Sequence, residues 1–141
     1  MPNAAASSWA SGMFREPLNG EPCYLPVHRD QCHPVLGYLD VIESFIALHE
    51  ADPSVLEPDR AYVLPSHRIT VAEGLTVKEQ VAAEFGILPV LVVDDPNPVI
   101  QGIVDTWPTA TDGGRALKIG VPQPKPLAEI LRDYLRDFVV T

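Results

Sequence analysis

The chain carries the stretch PNAAASSWASGMFREPLNG at residues 2–20, which predicts a helix from Ala4 to about Leu18. Trp9 and Met13 stand four positions apart, so they share one face of that helix. Pro17 and Gly20 are residue types that end a helix. The stretch therefore predicts a first helix with one apolar face.

Beyond residue 20, apolar periodicity and capping signals predict further helices along the chain. Thr76 and Glu79 fit a capping box, in which each side chain binds a free amide of the other residue. Gly86 suits the position that follows a helix, where a left-handed conformation is needed. The predicted helices are Leu36–His49, Thr76–Phe85, one opening at Asn97-Pro98 and reaching Trp107, a short one near Gly114–Ile119, and Pro126–Val139.

Three short strands are predicted between these helices, at Cys23–Val27, Ala61–Leu64 and Pro89–Val93. Val90 to Val93 is apolar on both faces, which suits a covered strand. Prolines within or beside the three segments confine them to the ends or edges of a sheet. The sequence thus predicts an α/β (α+β) fold with a small sheet of about three strands and about five helices.

Length and charge narrow the function classes. A chain of 141 residues is expected to form a single domain. Its net charge of −9 disfavours nucleic-acid binding, because an acidic surface repels phosphates. No apolar run reaches the roughly 18 residues of a membrane span, and no signal peptide is recognisable. We therefore expect a cytoplasmic protein with no nucleic-acid or membrane partner.

Several catalytic and binding motifs are missing from these residues. The sequence has no Gly-x-Gly-x-x-Gly loop, no Walker-type loop and no Gly-x-Ser-x-Gly turn. Cys23, His28, Cys32 and His33 offer the residue types of a zinc site. Their spacing matches no standard zinc pattern, and two prolines interrupt it. We predict no metal, and free thiols at both cysteines.

Candidate acid–base groups are His33, His67 and Asp94. His33 precedes the second helix, His67 follows the second strand, and Asp94 ends the third strand. A histidine near the end of an element is well placed for proton transfer, because its pKa is near neutrality. For each, a solvated turn residue is the simpler interpretation, and Asp94 could serve only the dipole of the next helix.

Two separated stretches carry a family resemblance. The first is residues 2–20, and the second is VDTWP at 104–108, followed by Asp112, Arg115, Gly120 and a last helix with Tyr134. In this order they resemble the C-terminal, substrate-binding half of extended short-chain dehydrogenases of the NAD-dependent epimerase/dehydratase family. The resemblance covers nearly the whole chain.

The resemblance implies roles for particular residues. Asn3, Ser7, Ser8 and Arg15 correspond to substrate contacts, and Pro2 and Asn3 lie beside the nicotinamide of NAD or NADP in such enzymes. Arg15 could equally anchor the following turn through its backbone. The family's Ser-Pro-Arg pattern reads His33-Pro34-Val35 here, so a cation that faces the substrate is missing.

The departures from the family leave three functions open. The glycine-rich loop and the Tyr-x-x-x-Lys pair are absent, so a truncated relative would bind no cofactor alone and could not transfer a hydride. The alternatives are a nucleotide-independent isomerase, dehydratase or cyclase, and a non-catalytic binding remnant. In each case we expect a small-molecule ligand. A homodimer or a partner chain should cover the face that the nucleotide-binding half would cover, including an open strand edge at Ala61–Leu64.

Overall fold

The computed structural model describes residues 5–140 and confirms the predicted α/β class. Short strands alternate with helices along these residues. The helices are α1 (Ser8–Leu18), α2 (Tyr38–Glu50), α3 (Val71–Glu84), α4 (Pro98–Val104), α5 (Gly114–Lys118) and α6 (Leu127–Phe138), and the strands are β1 (Cys23–Leu25), β2 (Cys32–Val35), β3 (His67–Thr70) and β4 (Val92–Asp94). None of these helices is long and apolar enough to cross a membrane.

The described strands form two pairs instead of one three-stranded sheet. β1 and β4 are parallel, with Cys23 opposite Val92, and β2 and β3 are antiparallel, with Val35 opposite His67. β1 lies within the predicted segment Cys23–Val27, and β4 overlaps Pro89–Val93 and ends one residue beyond it, whereas β2 and β3 were not predicted.

The predicted strand at Ala61–Leu64 is wrong, and so is the open edge expected there. These residues form no strand, because side chains take the carbonyls that a ladder would use. Arg115 donates to the carbonyl of Ala61 (3.2 Å), and the Thr111 hydroxyl donates to the carbonyl of Leu64 (3.1 Å).

Helix α3 begins at Val71, five residues before its predicted start at Thr76. The sequence contains two capping-box patterns, and the chain uses the first, in which the Thr70 hydroxyl accepts from the Glu73 amide (3.2 Å). The Glu73 carboxylate in turn accepts from the Thr70 amide (2.7 Å). The earlier start brings Val71 and Leu75 into the core, which favours it over a start at Thr76. Gly86 follows the helix at φ +67°, as predicted.

The core lies where α1, α3 and α6 meet β1. Trp9, Met13 and Leu18 of α1 are buried, as the helical spacing predicts. Gly74 of α3 lets α1 approach closely, since a Cβ there would lie 2.6 Å from the Cε of Met13. From the other side, Leu135 of α6 is fully buried. The core is thus built from elements near both ends of the described chain.

Helix α2 turns its polar side inward. Asp40 is 3% exposed and its Oδ1 accepts from the Lys125 amide (3.2 Å), and Ser44 is buried one turn later. Three apolar side chains of the same helix, which we call the α2 face, point to solvent: Ile42, Phe45 and Ile46, the second of them 64% exposed. In an isolated globular protein the opposite orientation is expected.

Candidate functional site

A groove of about 250 Å³ opens between α1, β2 and α6, and we call it the His33 groove. Helix α1 supplies one wall, the end of β2 and the start of the α2 connection a second, and α6 a third. Only Ser11 and His33 among its lining residues are polar. The full lining is Ala10, Ser11, Phe14, His33, Pro34, Val35, Leu36, Leu127, Ile130 and Leu131.

His33 stands between two indole rings. Its ring centroid lies 5.3 Å from that of Trp9 and 5.8 Å from that of Trp107. Burial among these groups lowers the pKa of His33 below its ordinary value, because the charged imidazolium loses water. Nδ1 of His33 and Nε1 of Trp9 are both buried without a hydrogen-bond partner among the described residues. Buried polar atoms left unpaired are uncommon in folded proteins, so these two call for an explanation, and a bound ligand is one.

This burial gives a pH dependence with a defined sign. Below the ordinary histidine pKa of about 6.5, His33 binds a proton in the unfolded chain more readily than in the folded chain. We therefore expect the free energy of unfolding to decrease as the pH falls through that value. His33→Phe should remove this part of the slope in urea titrations over that range. The same substitution at exposed His28 is the matched control, and an equal loss of slope there would contradict the assignment.

The other two acid–base candidates lie outside the groove. The ring Nε2 of His67 donates to the carbonyl of Lys125 (2.6 Å), which joins β3 to the segment before α6. Asp94 accepts from the guanidinium of Arg29 at 2.9 and 3.1 Å in an exposed ion pair. Both side chains are bound to partners away from the groove. The structure therefore does not bring the three candidates together.

The substrate contacts implied by resemblance fall on or before α1. Pro2 and Asn3 lie outside the described residues. Ser7 precedes α1 and Ser8 is its first residue, about one turn before the groove residue Ser11. Arg15 is exposed, and its carbonyl accepts from the amide and side chain of Asn19 (3.0 and 2.7 Å). That geometry supports the backbone role that the sequence left open for Arg15.

The cysteines and histidines near the start of the chain do not converge. No three side chains of the metal-binding types lie together in residues 5–140. Burial raises the pKa of the Cys23 thiol to about 12, and the Glu16 carboxylate beside it acts in the same direction. Cys32 lies in β2 opposite Thr70. Cys23 is therefore a core thiol without nucleophilic character near neutral pH.

Sequence reasoning identified His33 but missed its surroundings. Trp107 was expected only to pack the domain, and Ser11 carries no motif. Val35 lines the groove beside His33, at the position that the resemblance assigns to an arginine, and this departure is the one sequence signal that pointed to the groove.

The curated proteins and the solved structures that are similar to this chain are named as dehydrogenases or as an epimerase. D-erythronate dehydrogenase of Cupriavidus necator is 31% identical over 136 residues, which are 96% of this chain and 41% of that protein. The protein of the same name from Haemophilus influenzae is 28% identical over 134 residues, or 95% and 42%. The chain thus spans about two fifths of the length of these relatives. No model of a protein family matches it.

Among solved structures, the nucleoside-diphosphate-sugar epimerase from Agrobacterium tumefaciens superposes with a TM-score of 0.86 and 28% identity, over 98% of this chain and 40% of that one. A GalE-like L-threonine dehydrogenase from Cupriavidus necator shares the fold, with a TM-score of 0.78 and 22% identity over 97% and 43% of the two chains. Sequence and fold therefore confirm that the chain resembles a part of the extended short-chain dehydrogenases of the NAD-dependent epimerase/dehydratase family.

Proposed function

We propose that the chain is the substrate-facing part of an epimerase/dehydratase-type protein that acts on a small hydroxylated or carbonyl metabolite. The observation that carries the proposal is the His33 groove, a cavity lined by His33 and Ser11 in a chain whose relatives bear the names of dehydrogenases and an epimerase. At near-neutral pH the uncharged imidazole of His33 can donate a hydrogen bond to a ligand oxygen or accept a proton from it.

A dinucleotide does not fit the described residues. A pyrophosphate is held by free amides at a helix N-terminus that follows a glycine-rich loop. The sequence has no such loop. The N-termini of α3 and α4 are already occupied by the side chains of Thr70 and Asn97, whereas the other four described helices carry no side-chain cap. NAD or NADP would therefore have to be held by residues outside this set.

Calorimetry tests whether these residues need a cofactor-binding partner. We expect the folded 141-residue chain to show no heat of binding with NAD or NADP, since the sequence holds no phosphate-binding loop. A circular dichroism spectrum with α/β character is the control for folding. Saturable binding of either nucleotide would contradict the proposed role.

A nucleotide-independent isomerase, dehydratase or cyclase is the second candidate. The shifted pKa of His33 within a groove favours it, because catalytic acids and bases are tuned in this way. Turnover of a carbonyl metabolite by the chain alone, lost in His33→Gln, would favour this enzyme. A chain that binds the metabolite without turnover points to the first proposal.

The α2 face supports a protein partner, either a second copy or a chain that carries the nucleotide-binding half. Burying one large apolar side chain contributes about 1.5–3 kcal/mol, equivalent to about tenfold or more in affinity. We expect the chain to sediment as a dimer when it is alone, and Phe45→Lys to weaken that dimer by about tenfold or more. Val99→Lys, at an exposed site of α4, is the control. A clean monomer at high concentration would count against self-association.

A further inference from the structure

We infer that the His33 groove takes an uncharged, mainly hydrocarbon compound with one carbonyl or hydroxyl oxygen, and not a polyhydroxy acid. The inference rests on the proposed function and names its substrate class. Three features of the molecule support it: the lining of the groove, the pairing of the cations around it, and its size.

The lining is apolar on all three walls. Leu127, Ile130 and Leu131 of α6 face Phe14 of α1 and Val35 of β2 across the groove. A ligand rich in hydroxyl groups would lose water at each of them and find few partners in return, which is costly. A hydrocarbon body gains from the same surface, roughly in proportion to the apolar area removed from water.

Among residues 5–140, no cation lines the groove to receive a carboxylate. On α6, Arg132 is bound to both carboxylate oxygens of Glu84 (2.7 and 2.8 Å), so its charge is already paired. Lys125, just before α6, is bound to Asp133 (3.1 Å). The net charge of −9 also repels anions at longer range.

The polar groups suit one oxygen. Ser11 offers a hydroxyl, and His33 offers an imidazole that its surroundings keep neutral, so the two can meet a carbonyl or hydroxyl without a counter-ion. The volume of about 250 Å³ lies below the roughly 300–1,000 Å³ of drug-sized sites, which indicates a small ligand.

Intrinsic tryptophan fluorescence reports on this groove through His33, because both tryptophans of the chain flank that side chain. We would titrate the chain with benzylacetone, a neutral ketone, and with hydrocinnamate, an acid with the same number of non-hydrogen atoms. Benzylacetone should bind at least about tenfold more tightly, since the carboxylate finds no cation. D-erythronate should leave the fluorescence unchanged.

Variants that introduce a positive charge into the groove should reverse the preference between the two probes. Val35→Arg, and Ser11→Arg at a more exposed position, should weaken benzylacetone binding and favour hydrocinnamate. Val99→Arg is the matched control outside the groove and should keep the wild-type preference. Equal binding of the two probes, binding of D-erythronate, or no response of a folded chain to benzylacetone would overturn the inference.

These titrations contain no nucleotide, so their outcome is independent of the calorimetric test. Binding of NAD by the chain would contradict the proposed function and leave the measured ligand preference standing. Loss of the preference would remove the substrate class and leave the proposed function standing.

Discussion

Replacing Trp9 by alanine is expected to lower the free energy of unfolding by about 3–5 kcal/mol, as for other buried aromatic residues. Trp9 is 5% exposed, lies in the core formed by α1, α3 and α6, and contacts the ring of His33. Alanine leaves a cavity on the core side and removes one of the two rings that enclose His33. Urea unfolding followed by circular dichroism measures the loss.

Two variants separate packing from other effects at Trp9. Trp9→Phe keeps an aromatic ring and deletes the unpaired Nε1 donor, so its cost should be clearly smaller than that of alanine. Tyr24→Ala removes an aromatic side chain that is already exposed and should change stability by less than about 0.5 kcal/mol. A Trp9→Ala protein as stable as the Tyr24→Ala protein would show that Trp9 does not lie in the core.

Replacing Gly113 by alanine is expected to destabilise the fold by about 1–3 kcal/mol, through overpacking. A Cβ at Gly113 would lie 2.5 Å from both the Cα and the nitrogen of Pro65, which is buried, so the backbone itself has to move. The φ of Gly113 is −87°, so the cost is one of space and not of backbone conformation. Thermal and urea unfolding of Gly113→Ala measure it.

Replacing Gly102 by alanine is expected to have the opposite effect on stability. It lies inside α4, and nothing stands within 4 Å of where its Cβ would be. Gly102→Ala should therefore stabilise the chain by about 0.4–1 kcal/mol, because alanine favours the helix and restricts the unfolded chain. Equal effects of the two substitutions would mean that the segment around Pro65 does not pack against Gly113.

The helices were predicted from sequence far better than the strands. Helix α6 lies within one residue of its predicted bounds, and α1 ends at the predicted Leu18 but begins at Ser8 instead of Ala4. In both helices the apolar spacing coincides with the face that is buried. Strand β2 reads Cys-His-Pro-Val, which carries no alternation of apolar and polar residues, and its pairing with β3 depends on contacts distant in sequence. The reversal of α2 was equally hidden, since periodicity reveals an apolar stripe but not what covers it.

His33 was predicted as a candidate because it stands just before the second predicted helix, and it lines the groove. His67 and Asp94 were candidates for a similar reason, each beside the end of a predicted strand, and do not line the groove. The difference lies in partners that no local pattern reveals, a carbonyl at Lys125 for one and a guanidinium at Arg29 for the other. Position within an element is predictable from sequence, whereas tertiary pairing of a side chain depends on the whole fold.

The parallel pairing of β1 with β4 also bears on how the chain acquires its structure. The ladder joins Cys23 to Val92, and a parallel pair requires a long intervening crossover. Closing so large a loop lowers the entropy of the chain before the stabilising contacts of the ladder form, and this slows folding. During synthesis, β1 cannot pair until β4 has left the ribosome. Because α6 follows β4 in the sequence, the His33 groove is completed only after α6 has emerged as well.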